Sequence, residues 1–138
     1  MLQKLTIFYL QMITRLLLVL KKWALPILVL YALALTIGSL ADIGDLPSMG
    51  SSFDDKILHF IAYFFFTVFM FNYCKELKGR YMIVISAMCV IIYGIIIEVL
   101  QQVMTSFRTL DIYDALANTL GVVLATVIIR FRNKLKLK

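Results

Sequence analysis

The chain has 138 residues, of which 62% are hydrophobic, and a mean hydropathy of +0.94. Soluble domains are about 45–50% apolar, so a water-soluble globule is excluded and one integral membrane domain is expected. The net charge of +6 would suggest nucleic acid in a soluble protein, but the basic residues sit at the ends of apolar runs and read as membrane orientation instead. No nucleic-acid partner is expected. Cys74 and Cys89 lie in apolar runs and read as packing residues; without a CxxC pair, and with one histidine, zinc-finger and thioredoxin-like sites are out.

Residues 1–22 place Gln3, Lys4, Gln11, Thr14, Arg15, Lys21 and Lys22 at helical spacing, which makes one polar stripe on an apolar helix. Such a segment lies in the interface, with its basic face toward anionic headgroups. A signal peptide and a plain extension of the first span are the alternatives. Residues 23–130 form the membrane domain. About 20 apolar residues cross the hydrocarbon layer as a helix, and four stretches qualify. They are Trp23 to Ala41, Ile57 to Cys74, roughly Tyr81 to Gln101, and roughly Ile112 to Ile129. The expected fold is therefore an all-α four-helix membrane bundle, closed by a basic tail at 131–138. DIGDLPSMGSSFDDK, rich in Gly, Pro, Ser and Asp, reads as an exposed first loop; KELKGR and MTSFRTLD are the second and third.

Lysine and arginine concentrate before the first span, in the second loop and in the tail, while the first loop carries four aspartates and only Lys56. The positive-inside rule then places both termini in the cytoplasm and the first and third loops outside.

The polar residues within the spans fall at one level. Asp55, His59 and Tyr63 are four apart and share a helix face. Glu98 comes 17 residues after Tyr81, roughly 25 Å into a core about 30 Å thick, with Gln101 and Gln102 just beyond. Asp111, Asp114, Asn118 and Gly121 are spaced three, four and three, with Arg108 adjacent in the loop. Charges inside a membrane are costly and face inward to pair, so a shared polar pocket at the outer leaflet is expected. Blander readings stand beside this one: Asp54 as a helix cap, Lys56 snorkelling, His59 as a lone interhelical hydrogen-bonding residue, Tyr63 in an aromatic belt, and Gly121 with Ala125 as a packing notch.

DKILHFIAY (55–63), YGIIIEVLQQ (93–102) and RTLDIYDALANTLG (108–121) together resemble the VanZ-like family of small bacterial membrane proteins. The resemblance covers three of the four spans in order. It implies that Asp55, Lys56, His59, Glu98, Gln101, Arg108, Asp111, Asp114 and Asn118 are the characteristic polar positions, in a multi-pass protein of the bacterial cytoplasmic membrane. Where family members often carry a second glycine four residues after the first, this chain has Ala125. The family takes its name from a member associated with low-level resistance to the glycopeptide teicoplanin.

Two functions fit. The first acts on a lipid-linked or amphiphilic cell-envelope substrate that bears a phosphate. His59 serves as general base or nucleophile, Asp55 or Asp114 orients it, and Glu98 is the second acid/base. Lys56 and Arg108 bind the anion, with Tyr63, Gln101, Asp111 and Asn118 lining the site. The second is non-catalytic: shielding of an envelope component, or a polar clamp that assembles a homo-oligomer or partner complex. Hard cations take carboxylate oxygens, but nothing in the spacing demands a metal, and neither metal nor cofactor is assigned.

Overall fold

The computed structural model describes residues 22–40, 52–77, 79, 81–104 and 111–136. The expectations for residues 1–21, the greater part of the first loop, and Arg108 lie outside the described residues. Four helices follow one another: α1 (Ala24–Leu40), α2 (Ser52–Cys74), α3 (Met82–Met104) and α4 (Ile112–Lys136), with a single 3₁₀ turn at Lys75–Leu77 after α2. No strand occurs among the described residues.

Three of the helices are long and apolar enough to cross a membrane. α1 is shorter, at 17 residues or about 25 Å, the lower end of spanning length. It carries Pro26 in its first turn, where a missing N–H costs nothing. α2 begins at Ser52 rather than Ile57. Its first turn holds Asp54 and Asp55, which favour a helix N-terminus electrostatically, so the helix forms before the apolar run starts. α4 likewise continues past Ile129 to Lys136, carrying the first residues of the basic tail as helix.

The surface is as apolar as the interior, and polar groups are buried beside an apolar core. Ile, Leu, Val and Phe side chains cover the outside, whereas His59, Thr67, Ser86, Glu98, Gln101, Asp114 and Asn118 are buried. Hydrocarbon on the outside and polar groups within is the arrangement a bilayer imposes. The hydroxyls follow the same logic. Thr36, Thr67, Ser86, Thr119 and Thr126 each donate to the carbonyl four residues back, which satisfies them without a partner helix.

α2 packs most closely on α4, α3 lies against both, and α1 packs on α2 and α3. The α2–α4 contact is close because of Gly121. A Cβ built there would overlap the Phe60 carbonyl oxygen and lie 3.0 Å from the Phe64 nitrogen. Ala125, one turn on, is fully buried, so the small residue replacing the second glycine still fits the crossing. Between α2 and α3, Tyr63 and Phe66 form an aromatic core with Tyr93, and Tyr31 of α1 packs tilted against Phe66 and edge-on against Phe69. Tyr93 donates to the Ala32 carbonyl at 2.8 Å and Tyr31 to the Ala62 carbonyl at 2.9 Å, which ties α1 to both neighbours.

Gly94 leaves room for the Tyr63 ring: a Cβ there would sit 2.8 Å from Tyr63 Cε1. Gly94→Ala is expected to lower stability by about 1–3 kcal/mol, because the ring is wedged between other aromatics and has nowhere to swing. A thermal melt of the detergent-purified variant measures this; an unchanged midpoint would show that the ring yields freely.

Candidate functional site

The α2 and α4 N-termini and the α1 and α3 C-termini meet at one end of the bundle, and the polar residues gather there. The i, i+4 spacing on α2 puts Asp55 and His59 on one face. Asp111 opens α4: its Oδ1 accepts from the Tyr113 N–H at 2.8 Å, and its carbonyl accepts from the Asp114 N–H at 3.1 Å. This is N-cap geometry, and it fixes the turn that presents Asp114. Lys56 Nζ donates to Asp111 Oδ2 at 2.8 Å and to Asp114 Oδ1 at 3.1 Å, bridging α2 and α4. The Lys56 ammonium and the Tyr113 N–H together hold the Asp111 carboxyl below its ordinary pKa.

Further inside, a chain of hydrogen bonds crosses three helices. His59 Nδ1 lies 3.1 Å from Asn118 Oδ1, and Asn118 Nδ2 donates to Glu98 Oε1 at 3.1 Å. The amide orientation sets the roles of the imidazole nitrogens. The amide nitrogen faces Glu98 and the amide oxygen faces His59. An amide oxygen only accepts, so Nδ1 carries the proton and, in the neutral ring, Nε2 holds the lone pair. Nε2 points back toward the bundle end, 3.9 Å from Asp55 Oδ1, which is ion-pair range but too long for a hydrogen bond. A ring nitrogen of His59 and one carboxylate oxygen each from Asp55 and Asp114 all lie within 4.8 Å of one another. That is the one group of three such ligands found among the described residues.

Exposure falls steadily along this route. The Asp55 side chain is 45% exposed, Lys56 25% and His59 10%, and Glu98 is 3% exposed as a residue. The cluster thus runs from the surface at the end of the bundle into its interior.

Two residues assigned to the site from sequence sit differently. Gln101 Nε2 donates to the Ser39 carbonyl of α1 at 3.0 Å, so this amide fastens α3 to the last turn of α1. Tyr63 is 2% exposed, with its ring in the aromatic core against Gly94 and its hydroxyl buried without a hydrogen-bond partner among the described residues. Sequence reasoning drew the site from α2, α3 and α4 and missed α1. The signal was present: Thr36 and Ser39 interrupt an otherwise uniform apolar run. Thr36 Oγ1 lies 2.6 Å from the Tyr93 hydroxyl, and Ser39 receives Gln101.

No curated protein and no solved structure matches the chain. A family model does, over residues 36–133, about seven-tenths of the sequence and the whole of the polar cluster. Its description is VanZ/LLP1, and the chain belongs to that family.

Proposed function

We propose that this protein engages the phosphate-bearing headgroup of a cell-envelope amphiphile at the outer leaflet of the bacterial cytoplasmic membrane, with His59 and Glu98 as its proton-transfer pair. The observation that carries this reading is the line of polar groups from Asp55 through His59 and Asn118 to Glu98, hydrogen-bonded from His59 inward, which passes from an exposed carboxylate to a buried one. A purely structural polar network has no need to reach the surface. His59 keeps Nε2 free of hydrogen bonds among the described residues, and that atom is the one available to take a proton. Lys56, on the rim, supplies the positive charge that draws an anion. Envelope protection, including against a glycopeptide such as teicoplanin, is the biological setting that family membership suggests.

The second reading is a structural clamp for assembly. It is favoured by the fact that the same contacts join α2 to α4 and α4 to α3.

The experiment is binding and turnover of a polyprenyl phosphate in nanodiscs, read by mass spectrometry, with uncharged polyprenol as the comparison. The wild type should retain the phosphate form selectively. His59→Ala should abolish turnover, and Lys56→Gln should weaken retention about 10–100-fold, the worth of a charge-assisted hydrogen bond. Equal retention of phosphate and alcohol by the wild type would sink the headgroup reading. Loss of folding in both variants, without a change in selectivity, would favour the clamp.

A further inference from the structure

Among the described residues at the mouth of the cluster, Asp55, Asp111 and Asp114 face a single ammonium, that of Lys56, with Glu98 further in. A phosphate approaching these carboxylates needs more positive charge than Lys56 alone supplies. Lys56 is also committed, since it already donates to Asp111 and Asp114. Among the described residues that is an acidic excess of two charges, which one divalent cation balances.

We propose that Asp55, His59 and Asp114 form a divalent-cation site of the Zn²⁺ or Mn²⁺ class. The donor atoms already converge within 4.8 Å of one another. A cation about 2.1 Å from each donor needs them roughly 3–3.5 Å apart, so closing the site takes side-chain movements of about an ångström. Two carboxylate oxygens with one imidazole nitrogen suit a borderline cation better than Ca²⁺ or Mg²⁺, which prefer all-oxygen sets.

The independent observation is the histidine. His59 is only 9% exposed, yet no hydrogen bond reaches Nε2 among the described residues; Nε2 lies 3.9 Å from Asp55 Oδ1, and a ring nitrogen lies within 4.8 Å of a carboxylate oxygen of both aspartates. Its Nδ1–H is held by Asn118, which lies outside the ligand set. A ligating histidine is typically oriented in this way, by a partner on its second nitrogen. Asp55 and His59 come from successive turns of one helix face, an i, i+4 pair that directs two ligands at one point. Asp114 accepts Lys56 and still has lone pairs for a metal, because a carboxylate offers about four acceptor sites. With the cation bound, Nε2 of His59 is a ligand rather than a base, so proton transfer falls to Glu98, while the cation is the anchor for a phosphate oxygen and Lys56 its neighbour. That role rests on the headgroup reading above; the binding itself does not.

The test uses chelator-stripped protein in detergent, titrated with Mn²⁺ and read by the electron paramagnetic resonance of the free ion. One Mn²⁺ per chain should bind, and Zn²⁺ should displace it. His59→Ala and Asp55→Asn should lose binding at least tenfold. Asp55 is half-exposed, so Asp55→Asn tests the site even where His59→Ala fails to fold. Asn118→Ala, which removes the positioning partner, should weaken binding about 10–100-fold. Asp54→Asn removes an equal charge one residue away and should leave binding intact. Absence of Mn²⁺ and Zn²⁺ binding by the wild type, or equal binding by Asp55→Asn, overturns the site. Polyprenyl-phosphate retention that survives chelation alongside such a result leaves the headgroup reading standing. Stoichiometric Mn²⁺ without phosphate selectivity leaves the cation site and removes the headgroup.

Discussion

Replacing Gly121 with leucine is expected to separate α2 from α4 and to destabilise the bundle by more than any other single change on these helices. The reason is the nature of what a side chain would meet. A Cβ at this position overlaps the Phe60 carbonyl oxygen and comes within 3.2 Å of the Phe60 carbonyl carbon and 3.0 Å of the Phe64 nitrogen. These are backbone atoms of a helix and cannot rotate away, unlike the ring that faces Gly94. Even Gly121→Ala should cost about 1–3 kcal/mol, the usual range for overpacking, and leucine adds three more carbons to the same space. The loss should also reach the polar cluster. Gly121 lies one turn from Asn118, and Phe60 follows His59, so the notch sets how closely the His59–Asn118 pair approaches. Gly38 in α1 is the control. No heavy atom comes within 4 Å of a Cβ there, so Gly38→Ala should be neutral or slightly stabilising through helix propensity. Melting of the three variants in detergent decides the matter; a Gly121→Leu midpoint equal to that of Gly38→Ala would mean that the crossing is not as tight as described.

The helices were legible in the sequence because a bilayer leaves few choices. Long apolar runs must satisfy their backbones as helix, and hydropathy finds them. Their ends were less legible. Hydropathy marks where hydrocarbon contact stops, whereas a helix continues for as long as its backbone hydrogen bonds are stable. So α2 takes in Asp54, Asp55 and Lys56 before the apolar run, and α4 runs on through Arg130 and Arg132. Within the cluster, spacing revealed what shares a helix face: Asp55 with His59, and Asp114 with Asn118. It was silent on which group meets which across helices. That Lys56 reaches Asp111 and Asp114, that Asn118 stands between His59 and Glu98, and that Gln101 turns to Ser39 all depend on helix rotation and crossing. Asp111 illustrates the overlap of roles. An aspartate ahead of an apolar run is a cap signal, and here the same carboxylate caps α4 with one oxygen and holds Lys56 with the other.

Glu98→Gln is expected to leave the fold nearly unchanged while removing turnover, and this combination separates chemistry from architecture. The substitution keeps the shape and keeps an acceptor oxygen, so the Asn118 amide still has somewhere to donate. What disappears is the group that can gain or lose a proton. General acid–base catalysis contributes about 10²–10⁴-fold, and a drop of that size is the expected result in the nanodisc assay. Asn118→Ala should do the opposite. It strips a partner from both His59 and Glu98 and leaves two buried polar groups unpaired, at about 1–3 kcal/mol each in a soluble protein and somewhat less in a membrane. Its melting midpoint should fall while residual turnover survives in the molecules that remain folded. A Glu98→Gln protein that melts like the wild type and turns over substrate at the wild-type rate would remove Glu98 from the chemistry and reduce it to a hydrogen-bond acceptor. If instead Glu98→Gln and Asn118→Ala lose stability and turnover in the same proportion, the line of hydrogen bonds is a clamp, and whatever proton transfer occurs belongs to His59 alone.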